Sequence, residues 1–504
     1  MFVTPVRAAD DVINAEAESI KLSSPNFTLR ANISPKLARA LLQDMENLRT
    51  ALRDRHKVSF TAPDIHLDIL IVEELEDFLA FAPGESSAAF YSRSALGPKI
   101  IVNASDTLWD PSALWEIMYH EYAHHFHATY LGYKAPLWLD EGMANYAASF
   151  NQTGPNTFEF GYVDRETYDF LSENLDDWLP SDKFIAELKK YPIIDGYYGE
   201  HAQKRQALYY AQSWLIAYWM HHTEQGEKAH IELINRVDKG EDIRAAFPAD
   251  IHEVLQNYIR NFDPKLKSFE SETLDLFQVV SFEETVLSEY EMAAHLYLQV
   301  SQDGGGETFF ATMSKLRNIL EEDPNYAAYK SAIRSIKLRQ FRRYVAARQL
   351  MNDAARERQD DPGLQRLNAI FNIALIPNFS EFPSFDAQDL RTHKAHIETA
   401  VKRAIKTRSG DVALDIERLH ALGRYSQNLS KDQKLSLDRI LSSDHHKRNP
   451  ILSLSLVYPL IAQKKFDEAE GIVTRARLWS EPEDQKDIAD MTEDIRLNRL
   501  YAQP

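Results

Sequence analysis

Between Asp110 and Phe150 the chain reads as two helices with a single break, and this stretch limits the available folds more than any other. Asp110-Pro111-Ser112 is a helix start with proline in the first turn, and the pattern stays helical to about Tyr130. Gly132 and Pro136 interrupt it before a second helix, LWLDEGMANYAASF. A break this short reverses the chain, so the two helices are expected to lie antiparallel and in contact. The first carries His120, Glu121 and His124, and the second carries Glu141.

The segments ahead of this pair alternate in type. From Asn26 they read as a strand (FTLRAN), an amphipathic helix (PKLARALLQDMENLRTALRDRH) with Leu37, Ala40, Leu41, Met45 and Leu48 on one stripe, and a strand (IHLDILIV). A helix, ELEDFLAFAPG, and two strand candidates, SAAFYSRSA and PKIIVN, complete a small α/β layer. After the helix pair, NQTGPNTFEFGYV suits a hairpin or a single strand, and helices then dominate to Phe262. The pattern weakens from Asp263 to Phe282, where a domain boundary is expected. Beyond Glu283 nearly every segment is an amphipathic helix. Tyr344, Ala347, Met351 and Ala354 keep the same spacing as Phe466, Ala469, Val473 and Ala476, in the manner of the second helix of a tetratricopeptide repeat. The fold class expected is an α+β N-terminal domain, with a small mixed sheet and a helical lobe, followed by an all-α domain that is tetratricopeptide-like or a plain helical bundle. The divisions are a flexible start over 1–23, a first domain over 24–270 (α/β over 24–109, helical over 110–270) and helical repeats over 283–504.

Composition removes several kinds of chemistry. With 504 residues and a hydrophobic fraction of 44% the chain can bury more than one core. It has 76 acidic against 57 basic residues and a formal charge of −19, which opposes a broad electrostatic hold on nucleic acid. The basic run KSAIRSIKLRQFRRY therefore reads as a solvated or internally paired helix face. There is no cysteine, so disulfides, iron–sulfur clusters and thiol nucleophiles are excluded, and a metal would have to sit on His, Asp or Glu. Gly304-Gly305-Gly306 has no following Gly-Lys-Ser/Thr, and no Gly-x-Ser-x-Gly elbow marks a serine nucleophile. No run is long and apolar enough for a transmembrane helix. The opening MFVTPVRAAD lacks the charged start and apolar core of a secretory signal but suits the tail of a leader. It leaves the compartment open, with an exported or periplasmic location favoured over the cytoplasm.

His120 and His124 are four apart, so both imidazoles leave the same helix face one turn apart and can grip one ion. Glu121 sits about 100° around the helix, within reach of a water on that ion. This is the His-Glu-x-x-His arrangement of zinc hydrolases. An antiparallel second helix would add Glu141, giving two histidines and one carboxylate with a fourth position open, whereas a structural zinc site is closed by four protein ligands. Asp140 and Asn145 are candidates to orient the histidines through their second ring nitrogen. His125 and His127 point elsewhere on a regular helix and read as non-ligands, and His221-His222 reads as a helix end.

HEYAH (120–124) and WLDEGMANY (138–146) resemble the gluzincin metallopeptidases, and more nearly the bacterial peptidase-MA-like proteins in which such a domain precedes tetratricopeptide repeats. The resemblance implies one Zn2+ per chain on His120, His124 and Glu141, with Glu121 as general base and a peptide or protein as substrate. It also implies an oxyanion donor on a later helix. Tyr210 in ALYYAQSWLIAYW is preferred because Tyr-Ala-Gln-Ser looks like the matching segment, with Tyr209 and His201 as rivals. The aminopeptidase motif Gly-x-Met-Glu-Asn is missing, since the corresponding region reads GESSAAFYSR, so an endopeptidase or processing role is expected. The repeats would bind a protein partner or present substrate. The alternative from another class is a non-catalytic interaction scaffold with a structural or relict zinc site.

Overall fold

The apolar run LDILIV forms a strand buried at all its positions, and such a strand needs a layer of structure on each face of its sheet. The computed structural model describes residues 19–56, 65–81, 88–94, 96–104, 111–131, 136–154, 156–163, 165–186, 200–239, 241–262, 270–273, 279–340, 343–373, 387–407, 412–424, 429–442, 454–479 and 485–502. The strands are β1 (Ile20–Ser23), β2 (Phe27–Ala31), β3 (Leu67–Val72), β4 (Ala89–Ser94), β5 (Gly97–Asn103), β6 (Asn151–Gln152), β7 (Thr157–Phe160), β8 (Glu270–Thr273) and β9 (Glu283–Val286). Six of them form a mixed sheet in the order β4-β5-β3-β2-β1-β9, and β6, β7 and β8 form a small antiparallel one. Strands β2, β3 and β5 run parallel, with Leu29 opposite Ile69 and Ile69 opposite Ile100. Strand β4 is antiparallel to β5 and forms one outer edge.

One face of the sheet carries the helices of the candidate site. Helix α1 (Pro35–Arg55) is capped by Ser34, whose hydroxyl accepts the Leu37 N–H, and has proline at its start. A short α2 (Leu75–Leu79) follows β3, and α3 (Pro111–Phe126) and α4 (Leu137–Ala148) follow β5. Then come α5 (Arg165–Glu173), α6 (Ser181–Ala186), α7 (Glu200–His222), α8 (Glu224–Lys239) and α9 (Ile251–Asn261). Leu67, Ile69, Ile71, Ile100 and Val102 share one core with α1, α3, α4 and α7. Residues 211–220 of α7 are buried on every side, as in a helix at the centre of a core. Its polar groups are satisfied there: Gln212 bonds both backbone groups of Leu179, and Ser213 donates to the Tyr209 carbonyl.

The opposite face is covered by the first helices of the C-terminal region. These are α10 (Glu289–Asp303), α11 (Phe309–Leu320), α12 (Tyr326–Gln340), α13 (Tyr344–Glu357) and α14 (Pro362–Ile373). Leu70, Val72 and Ile101, the alternate positions of β3 and β5, share a second core with Phe78, Ala294, Leu316, Ala332, Met351 and Leu367. Lys99, 2% exposed, points its ammonium at Ser94 Oγ and at Gln299 of α10, and Lys315 of α11 pairs with Asp77 at 3.0 Å. The Gly305 and Gly306 N–H groups are spent on the Ala80 carbonyl, so this glycine turn docks on the end of α2. Among the described residues six further helices follow: α15 (Ala387–Thr407), α16 (Val412–Arg424), α17 (Lys431–Ser442), α18 (Val457–Ala462), α19 (Phe466–Trp479) and α20 (Gln485–Tyr501). With Ala369 and Ile373 of α14 they build two more apolar cores among the described residues. No described helix is long and apolar enough to cross a membrane.

Three features differ from the sequence expectations. Residues 20–23, inside the segment expected to be flexible, form β1 and pair with β2; positions 1–18 lie outside the described residues. The stretch expected to be a domain boundary contains β8, and β9 just beyond it pairs with β1, so the start of the repeat segment completes the N-terminal sheet. The helical region also packs on that sheet directly. ESET and EETV carry no apolar alternation, and they become strands only because distant backbone groups are in place to pair with them. In the helical region, Ala347, Met351 and Ala354, like Ala469, Val473 and Ala476, are buried at 2% exposure or less, on the face that their spacing assigned.

Candidate metal centre

Helix α3 buries Leu114, Met118, Tyr122 and Phe126 along one row. His120 and His124 are offset from that row by two residues, about 200° around the helix, which turns them away from it and toward α4. The two helices are antiparallel as expected. His127 and His124 meet Asp140, His120 meets Glu141, and Tyr119 meets Phe150.

The predicted ligands converge. His120 Nε2 and His124 Nε2 are 3.1 Å apart, and they lie 3.5 and 3.7 Å from Glu141 Oε2. All three ligand atoms fall within 4.8 Å of one another, so this group could hold a metal ion. The His120 side chain is 22% exposed against 11% for Glu141, which leaves an opening on the His120 side. Glu121 is 8% exposed. Burial raises its carboxyl above the ordinary range, opposed by His120, His124 and a backbone N–H donated by Tyr91. A raised pKa makes the ionised carboxylate a stronger proton acceptor.

Asp140, one of the two residues offered as orienting partners, lies against His124. Its Oδ2 lies 2.9 Å from His124 Nδ1, so the ring's other nitrogen, Nε2, faces the ligand cluster. Burial opposes a proton on His124, but Asp140, Glu141 and Glu121 outweigh it and hold the imidazole up at about 10. Burial likewise opposes the charge on Asp140, yet His124 and His127 keep its carboxyl well below the usual range. Among the described residues no hydrogen bond joins Asn145 to this group. His125, read as a non-ligand, has its Nδ1 3.3 Å from the Tyr91 hydroxyl, and burial and Arg93 push its imidazole well below the usual range. His127, also read as a non-ligand, does not point elsewhere: three residues after His124 it shares that face, and its Nδ1 lies 2.7 Å from Asp140 Oδ1. It opens a π-helical turn, His127–Leu131, that a regular helix pattern could not reveal.

The glycine after Glu141 has a packing cause. A Cβ on Gly142 would lie 2.2 Å from the Ser213 carbonyl oxygen, so α4 and α7 touch backbone to backbone at this point. Tyr210 is one turn before Ser213 on α7 and half-buried against the core. Tyr209 is 1% exposed with its ring edge-on to Phe184 at 5.0 Å, a packing position. The side chain of His201 lies outside the described residues, as do positions 84–87 of GESSAAFYSR; the rest of that segment enters β4, beside α3. His221 and His222 do more than end a helix. Arg55 donates to His221 Nδ1 at 2.8 Å, and His222 stacks on Tyr218 and hydrogen-bonds Tyr146.

No family model, no curated protein and no solved structure matches this chain. The functional reading therefore stands on the residues and their geometry.

Proposed function

We propose that this chain is a zinc-dependent peptidase of gluzincin type, of the peptidase-MA-like kind, whose helical C-terminal region is tetratricopeptide-like and engages a protein partner or substrate. The observation that carries the reading is the spacing of three ligand atoms beside a buried carboxylate. A tetrahedral ion with bonds of about 2.0–2.1 Å sets its ligands about 3.3 Å apart, and the separations of 3.1, 3.5 and 3.7 Å straddle that value. The donor set, two imidazoles and one carboxylate, fits zinc and leaves its fourth position open.

A zinc ion held by His120, His124 and Glu141 would lower the pKa of its water to about 7 and polarise the scissile carbonyl. Glu121 takes the proton of the attacking water and later delivers it to the leaving amine. Asp140 keeps the His124 proton on Nδ1. The outer edge of β4, whose Tyr91 N–H reaches Glu121, suits an extended peptide pairing as an added strand. Tyr210 is the proposed donor to the oxyanion. Tyr210→Phe is expected to lower kcat by about 100- to 1,000-fold with KM little changed; unchanged steady-state kinetics on a peptide substrate would remove Tyr210 from the mechanism.

Metal content tests the reading as a whole. Mass spectrometry on untagged protein should find near one zinc per chain, sharply reduced in Glu141→Gln. A wild-type chain that takes up no metal after incubation with zinc would leave the non-catalytic scaffold in its place.

A further inference from the structure

Asp140 serves two histidines at once. Its Oδ2 is 2.9 Å from His124 Nδ1 and its Oδ1 is 2.7 Å from His127 Nδ1, so each oxygen faces a different ring. A carboxylate held at one oxygen can still swing about its terminal torsion, which has broad minima. One held at both oxygens by separate groups has a single orientation. His127 is itself fixed: it is 4% exposed, lies against Phe126 and meets His56 edge-on at 6.5 Å. The π-helical turn that it opens is tied to the sheet by Arg93 of β4, which donates to Thr129 Oγ1 at 3.3 Å and to the Ala128 carbonyl at 3.5 Å.

We propose that His127 is a positioning residue of the metal centre: it clamps Asp140 Oδ1 so that Oδ2 holds the His124 ring with Nε2 directed at the ion. This inference rests on the metal-site reading above. His127 donates Nδ1–H to Asp140, as His124 does, and contributes no ligand. His127, the fourth histidine of the HEYAHHFH run, comes three residues after His124, so it stands beside that ring on the same helix face and reaches the far oxygen of the same carboxylate.

The test is zinc affinity, measured by competition with a chelator on the full-length chain. His127→Phe keeps a ring among Phe126 and His56 but has no donor, and it should weaken binding about 10- to 100-fold, the usual effect of losing an outer partner of a metal ligand. His127→Asn, whose side-chain N–H stands where Nδ1–H stood, should recover most of the affinity. In an Asp140→Ala background, His127→Phe should cost nothing further, because its action passes through Asp140. His127→Met replaces the Phe variant if that fails to fold. Wild-type affinity in His127→Phe, an Asn variant as weak as Phe at equal thermal stability, or full additivity with Asp140→Ala would each overturn the proposal while leaving the zinc site intact. A wild-type chain that binds no zinc would instead sink the metal-site reading and this inference with it.

Discussion

Glu121→Gln is expected to retain zinc binding and to lose the proposed hydrolytic rate by about 100- to 10,000-fold, the range for removing a positioned general acid or base. The two readouts separate because Glu121 lies beside the ligand cluster without belonging to it. Glutamine preserves the shape and can still accept the Tyr91 N–H that meets Glu121, so the fold around β4 is retained. It cannot take a proton from water. Zinc content by mass spectrometry and turnover of a peptide substrate, measured on the same preparation, give the answer. Retained turnover would assign the base elsewhere, and lost zinc would mean that Glu121 holds the ion.

Gly142→Ala is expected to destabilise the protein by about 1–3 kcal/mol, the range for forcing an extra carbon into a packed contact, and to weaken zinc binding with it. The added methyl would sit 2.2 Å from the Ser213 carbonyl oxygen, a backbone atom inside the buried helix α7, which cannot swing aside as a side chain would. Helix α4 must therefore shift, and Glu141 and Asp140 are the neighbouring residues on it. Gly471→Ala provides the control. It lies within α19 with nothing within 4 Å of its added carbon, so the same substitution should stabilise by about 0.5–1 kcal/mol through helix propensity alone. Opposite signs in denaturant unfolding, with zinc affinity lowered only in Gly142→Ala, are the expected result. Equal effects at the two glycines would show that the α4–α7 contact does not position the site.

The site was legible in the chain because its parts are local. Two histidines one turn apart and a glutamate between them follow from helical periodicity. Gly132 and Pro136 predict a reversal, and the reversal brings Glu141 to the histidine pair. The parallel core strands were legible for a similar reason, since FTLRAN, IHLDILIV and PKIIVN concentrate apolar residues in short runs. The run LDILIV held one further message that the domain reading passed over: a strand apolar at successive positions is covered on both faces. That was the available signal that the C-terminal helices would not stand apart from the sheet.

What only the tertiary structure decided depends on groups far apart along the chain. β8 and β9 are strands because β7 and β1 offer them open edges, and nothing in ESET or EETV demands it. His127 shares the His124 face by its three-residue spacing, but only the placement of Asp140 between the two rings shows what that face meets. Gly142 looks like a helix-weakening residue until Ser213 is placed against it. Local periodicity determines which side chains share a face of one helix or strand. Which backbone comes close enough to use that face is decided by packing and hydrogen bonding over the whole molecule.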